Sequence, residues 1–560
     1  MTVHLPTKAL SLRPPNEVMR LSRLGSAHQT RLSFLRALLR RMRDEKWRVA
    51  KHAFDIDERG VGKAIYTVDV KGRLLSLVAF GHELAPDERT DRVIAQAWDA
   101  TFVLFDGLPN RQDEARLAAN VPRQEAGRYH ATELVLARAN RSVRLFDHVL
   151  DSLAQGRQPD EASVEAIGYL MRTTAVYGNG KFGIADRDMI ADRPELSAPF
   201  RAEMLTVYLI RIFTLDLVEH LARLRGGAKA ALLDGRLRRR FGIGNATGLG
   251  MAPFLVKHPA LVDRWITARE TALACVRELR HASRESVAVF RATLQCSRRC
   301  IVHWVTSDEI QARRIDELAE DLSRLERFAS EKVFAGPCPW EAIWRFAREN
   351  LTLEGQEYAV TLLIEPHGAL IDDLAETMAI DETASFRIDG RMSCETLRRS
   401  IARDYAWALE LDFSQSRALA RFWYVSEEKL EPRLGERFEE EGMEREQPLA
   451  IAREVAALAA ALDKEERHTS VAAFLLAHPE HRHAVRRVQI AGRHPYSEIR
   501  DNLIGASLRP IDLLRCKLAF FGATRFDPRS DRWVRITLFQ GAPFPDELAA
   551  QCSERWIYGE

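Results

Sequence analysis

The sequence predicts an α+β protein, predominantly α-helical, with small antiparallel β elements near the N- and C-terminal regions. Two observations carry this. Apolar residues recur at three- and four-residue spacing through most of the chain, as at Leu32, Leu35, Leu38, Leu39 and Met42. Two stretches alternate about a turn instead, one around Lys71-Gly72 and one around Asp527–Asp531. No fixed-period repeat points to a solenoid.

A chain of 560 residues exceeds one hydrophobic core. Composition shifts divide it into five segments. These are a basic helical segment (1–50), an antiparallel meander plus helix (51–155), a helical core carrying two glycine-rich loops (156–350), a mixed α/β segment with an acidic loop (351–470), and a C-terminal helix and hairpin (471–560). Hydrophobic residues at 46% and charged residues at 29% match soluble globular proteins. Basic and acidic residues number 82 and 80. That balance argues against nucleic acid as the main partner. The opening residues lack a signal-peptide layout. The longest apolar run, residues 204–218, is broken by Arg211 and Asp216 and falls short of the roughly 20 residues a span requires. It reads as a core helix, and no membrane partner is expected. Seven scattered cysteines fit reduced thiols and a cytoplasmic location.

Taken in order, residues 1–25 read as irregular, with Pro14-Pro15 blocking a helix. Residues 26–48 read as a helix whose outer face carries Arg31, Arg36, Arg40, Arg41 and Arg43. A solvated face, or one packed on acidic residues, is favoured there over an RNA contact. Residues 64–70 and 73–80 form a hairpin turned at Gly72, with residues 52–57 as a third strand. Residues 93–105 fit a strand or a buried helix equally. Residues 124–153 and 161–174 read as helices. Helices are further expected at 260–283, 284–298, 308–330, 339–350, 368–379, 394–410, 414–422 and 448–463, with a strand at 358–364. Residues 517–526 and 532–539 form a second hairpin, which could share a sheet with the first. Residues 427–446, rich in glutamate, read as an exposed linker.

Candidate chemistry concentrates in residues 171–253. The first glycine-rich loop is Tyr177-Gly178-Asn179-Gly180-Lys181-Phe182-Gly183. A helix cap requires one glycine. Three, with a lysine among them, suit close backbone approach to an anion. There is no Gly-Lys-Ser/Thr, so it is not a Walker loop. The second, residues 241–253, has four glycines and an Asn-Ala-Thr insert. Its spacing misses the dinucleotide fingerprint, and an arginine run precedes it where a strand should. Tight packing explains it about as well as ligand binding, and the Asn-Ala-Thr insert tips the reading toward binding. Asp216 and His220, four apart on a helix, form either a carboxylate–imidazole base or, preferably, a polar pair satisfying itself. Cys296 and Cys300 with His303 lack the second ligand pair that zinc needs. No metal site is expected.

These readings converge on a cytoplasmic enzyme acting on a small anionic or amide-bearing metabolite held between the two loops. Tyr177, Lys181, Asn245 and His220 are the candidate catalytic residues. Arg172, Thr174, Asn179, Gly180, Gly244, Thr247 and Gly248 are the candidate substrate-binding residues. The cofactor is open, including a nucleotide or flavin on a loop of non-standard spacing, and so is a homo-oligomer. The alternative is a helical scaffold whose glycine loops are structural. A third reading is RNA binding through Arg31–Arg43 and Arg236–Arg240.

Overall fold

The computed structural model describes residues 10–83, 99–123, 130–177, 193–246, 258–378, 386–413, 451–500, 515–527, 535–551 and 553–558. The chain divides into a unit built on a sheet (His28–Thr247, Leu518–Pro528 and Val534–Glu560) and a helical unit (Met1–Ala27, Gly248–Lys517 and Arg529–Trp533).

In the sheet unit, helix α1 (Phe34–Asp44) leads into β1 (Arg48–Ile56), β2 (Gly62–Val70) and β3 (Arg73–Gly81). Lys71 and Gly72 take φ of 54° and 90°. This is the two-residue turn whose twist suits a hairpin, and Asp69 Oδ1 caps it by accepting from the Gly72 N–H at 2.7 Å. Then follow β4 (Ala100–Asp106), α2 (Arg111–Asn120), β5 (Glu133–Arg141), α3 (Phe146–Ala154), α4 (Glu161–Ile167) and β6 (Tyr169–Tyr177). The unit continues with α5 (Arg201–Gly226), α6 (Gly235–Arg240) and β7 (Gly242–Ala246). It closes with β8 (Ala523–Asp527) and β9 (Arg535–Leu538).

The nine strands among the described residues belong to one sheet, in the order β1-β2-β3-β4-β5-β6-β7-β9-β8. The expected small antiparallel elements are therefore wrong in scale: the protein is α+β, but its sheet is large and mixed. The two strand pairs do share it, toward opposite edges, but the second is shorter than expected, since Lys517–Gly522 forms a π-helical turn before β8. Every neighbouring pair is antiparallel except β6 and β7, which run parallel. A parallel pair needs a crossover, and α5 and α6 lie within it.

Residues 124–153, expected as one helix, divide at Ser142: the described part before it is β5, and α3 follows. Periodicity alone could not separate these, because Leu134–Ala137 is apolar at four successive positions and fits a helix or a doubly covered strand. One sheet face buries Ile65, Val78, Phe80, Val103, Phe105 and Leu136 against Leu117 and Val121 at α2. The other receives α5, whose Phe213 meets Phe54 and Phe102 with centroids 6.3 and 5.4 Å apart. Helix α5 is buried around most of its circumference, as expected of a core helix. No helix among the described residues is long and apolar enough to cross a membrane.

The helical unit contains α7 (Pro259–Arg277), α8 (Arg284–Ile301), α9 (Glu309–Phe328), α10 (Pro339–Asn350) and α11 (Leu353–Ile364). It continues with α12 (Cys394–Asp404), α13 (Ile451–Leu462), α14 (Val471–Ala477) and α15 (Arg482–Arg493). The strand expected at 358–364 is the second half of α11. Every residue from Gly355 to Ile364 is buried, so its apolar run carried no period. Pro15 does not block helix as expected but starts a single turn, Pro15–Val18, where its missing N–H is not needed. The expected helix at 414–422 and the acidic run 427–446 lie outside the described residues.

Candidate functional site

Helix α4 ends earlier than expected, at Ile167, because Gly168 takes the left-handed conformation at φ 74°. The chain then enters β6, so Arg172, Thr174 and Tyr177 stand on a strand rather than at a helix end. Gly244 and Asn245, expected in a loop, lie in β7. Arg172 pairs with Asn140 of β5 on one side and Gly244 of β7 on the other, and Thr173 pairs with Asn245.

Because β6 and β7 are parallel neighbours, their carboxyl ends open on the same end of the sheet. Strand spacing and rise put Tyr177 and Ala246 about 11 Å apart, from the Thr173–Asn245 register. From these ends the chain continues into the glycine-rich residues 178–183 and 247–253. Asn179, Gly180, Lys181, Thr247 and Gly248 lie outside the described residues.

Strand alternation sorts the remaining candidates by face. Register pairs join Thr101 to Arg138, Asn140 to Arg172, Arg172 to Gly244, and Gly244 to Thr537. This row crosses five strands, polar on all but β7, on the face that also carries Val103 and Leu136. His82 extends it, with Nε2 3.2 Å from Thr101 Oγ1. Arg138 and Arg172 are offset by two residues on adjacent strands, which places their Cβ atoms roughly 7–8 Å apart. A bulge at Thr174 interrupts β6 beside them, a device that re-aims side chains. Arg172 is partly exposed and has no hydrogen-bond or ion-pair partner among the described residues.

Gly244 is needed here for packing. A Cβ on it would come within 2.8 Å of the Tyr169 ring, which therefore lies across this glycine on the Arg172 face. Gly244→Ala is expected to destabilise the sheet unit by about 1–3 kcal/mol through overpacking, as measured by urea denaturation. A change under 0.5 kcal/mol would show that the ring is free to move.

Asn245 lies on the reverse face, toward α5. Its Nδ2 donates to Thr173 Oγ1 at 2.8 Å, and that hydroxyl donates to the Gly244 carbonyl at 3.3 Å. The structure thus groups Arg172 with Gly244 and separates Asn245 from them. His220 is also elsewhere. Its Nε2 is 2.8 Å from the Ile56 carbonyl and its ring meets Phe54 edge-on. Asp216, expected to hold it, instead accepts from the Tyr66 hydroxyl and the Lys51 ammonium, each at 2.8 Å. Burial, then the Asp216 charge, push the Tyr66 hydroxyl well above its ordinary range, so it stays a donor. The β1–β2 edge outcompetes the helical neighbour for both groups.

Arg138, Asn140 and Tyr169 were missed by sequence reasoning. Period-2 spacing of Arg138 and Asn140 was the available signal, hidden once that stretch was read as helix. Among the described residues no cluster of three metal-ligating side chains forms. Both basic runs are engaged within the chain. Arg36 and Arg40 meet Glu554, and residues 236–240 meet Glu161, Glu165, Asp216 and Glu547. No family model, curated protein or solved structure matches this chain.

Proposed function

We propose that this protein binds a small anionic metabolite, bearing a phosphate or carboxylate, on the sheet face at the β5–β7 junction. Arg172 is the primary anchor, with Arg138 and Asn140 on the same face. The chain continuing from β6 and β7, including Lys181, Asn179 and Thr247, contributes backbone N–H groups and charge, as glycine-rich segments beyond parallel strands commonly do. One observation carries the reading. Among the described residues, a guanidinium stands without a partner beside the parallel strand pair β6–β7, on a sheet face that also carries Arg138 and Asn140. Guanidinium groups hold carboxylate and phosphate through paired N–H donors, which sets the ligand class.

A thermal-shift panel of inorganic phosphate, phosphorylated metabolites and carboxylates tests this. A true ligand at a hundred times its Kd stabilises the native state by about 2.7 kcal/mol. The wild type is expected to shift with one ligand class, Arg172→Ala to lose that shift, and Arg172→Lys to keep part of it. Equal stabilisation of wild type and Arg172→Ala would remove Arg172 from the site. No shift with any anion would end the proposal.

A further inference from the structure

Residues 10–27 precede the sheet unit in sequence yet belong to the helical unit. Arg13 is the centre of their attachment. Its Nε and Nη2 donate to Glu270 at 2.7 and 2.8 Å, and its Nη1 and Nη2 donate to Glu357 at 2.7 and 3.1 Å. The guanidinium carbon lies 5.2 Å from the Trp344 ring centroid. The Tyr496 hydroxyl donates to the Arg13 carbonyl at 2.6 Å. Pro14 follows with φ −70° and ψ 152°, an extended polyproline-like conformation.

We propose that Glu270, Glu357, Trp344 and Tyr496 form a recognition pocket for an arginine in an extended, proline-followed peptide, which this chain fills with its own Arg13. The contacts are particular to arginine. Two carboxylates from different helices, α7 and α11, meet the fork of N–H donors, and an indole faces the planar cation. Tyr496 reads the main chain of the bound residue. A lysine ammonium offers a point charge and could not satisfy both carboxylates in this way.

The pocket carboxylates also have cations other than Arg13, one of them Arg23 of the same N-terminal segment, which donates to Glu357 at 3.1 Å. Arg269, on α7, keeps an ion pair with Glu270 at 3.0 Å and stands 3.7 Å from Glu357. Both carboxylates therefore retain a cation when Arg13 is removed. All pocket residues lie at least 257 positions away from Arg13 in sequence, so ligand and pocket are separable by a single substitution.

The full-length Arg13→Ala variant tests this by restoration in trans. Its thermal midpoint is compared with and without the peptide Ser-Leu-Arg-Pro-Pro-Asn, the sequence of residues 11–16, and with the same peptide carrying lysine at the arginine position. The variant is expected to melt below wild type and to regain several degrees with the arginine peptide in a dose-dependent way. The lysine peptide should give no gain, and wild type, with its pocket filled, no response. Adding Glu357→Gln to the variant should abolish the gain. A folded Arg13→Ala protein that ignores the arginine peptide up to millimolar concentration, or that responds equally to lysine, overturns the proposal. Should the variant not be recovered folded, its refolding yield with each peptide decides instead. A yield raised only by the arginine peptide supports the pocket, and equal yields overturn it.

Discussion

Arg211→Ala is expected to destabilise the sheet unit by about 3–5 kcal/mol, the sum of a core cavity and buried carbonyls left without donors. Arg211 is fully enclosed on α5 and makes no ion pair among the described residues. Its guanidinium donates to the carbonyls of Phe241 at 2.7 Å, Ala542 at 2.8 Å and Arg239 at 3.3 Å, and lies 4.2 Å from the Phe544 ring centroid. Burial lowers it to about 10, so it is charged at neutral pH. These bonds tie the end of α6, the start of β7 and the segment after β9 to one helix. Loss should therefore appear first as faster amide exchange in β7, where Gly242–Ala246 depends on this anchoring. Arg211→Met keeps much of the volume and no donor, so it should recover the cavity part of the loss and leave the carbonyl part. A urea midpoint for Arg211→Ala equivalent to within 0.5 kcal/mol of wild type would show that water replaces the guanidinium.

Acidification from pH 5 to pH 2 should weaken both units. In the helical unit, burial pushes Glu357 upward, but Arg13 and then Arg269 outweigh it and hold the carboxyl at about 2. In the sheet unit, burial likewise opposes Glu554, and Arg36 and Arg40 bring it to about 2. The unfolded carboxyl titrates near 4.3. Each group binds its proton more readily unfolded, so its contribution is complete above that value and disappears as pH falls toward 2. The lowering corresponds to roughly 3 kcal/mol per group. Glu357→Gln should be less stable than wild type at pH 7 but lose less between pH 5 and 2, as followed by circular dichroism. Parallel acid profiles for the two proteins would contradict that account.

Much of the local structure was legible. The hairpin at Lys71-Gly72 follows from its turn chemistry, and α5 follows from an apolar run too charged and short for a membrane. Helices α7 to α10 follow from three- and four-residue spacing. The exceptions share a cause. Residues 134–137 are apolar throughout, residues 358–364 nearly so, and both runs are buried on every side, so neither carries a period to distinguish strand from helix. Local sequence cannot supply the choice in such runs, and β5 is a strand because β4 and β6 are there to pair with it.

The candidate site shows the same division. Glycine spacing alone drew attention to residues 171–253, and Arg172 with Gly244 remain together on one face of the sheet. Asn245 went to the other face because a strand turns successive side chains to opposite sides, which a loop reading could not anticipate. His220 and Asp216 took partners from β1 and β2, at least 150 residues away. Composition, turn residues and helical periodicity, all local properties, were thus determined by the sequence itself. The nine-strand order, the parallel β6–β7 pair and the Arg13 pocket were decided only in the tertiary structure. They rest on hydrogen bonds and ion pairs between groups distant along the chain, whose partners no local pattern specifies.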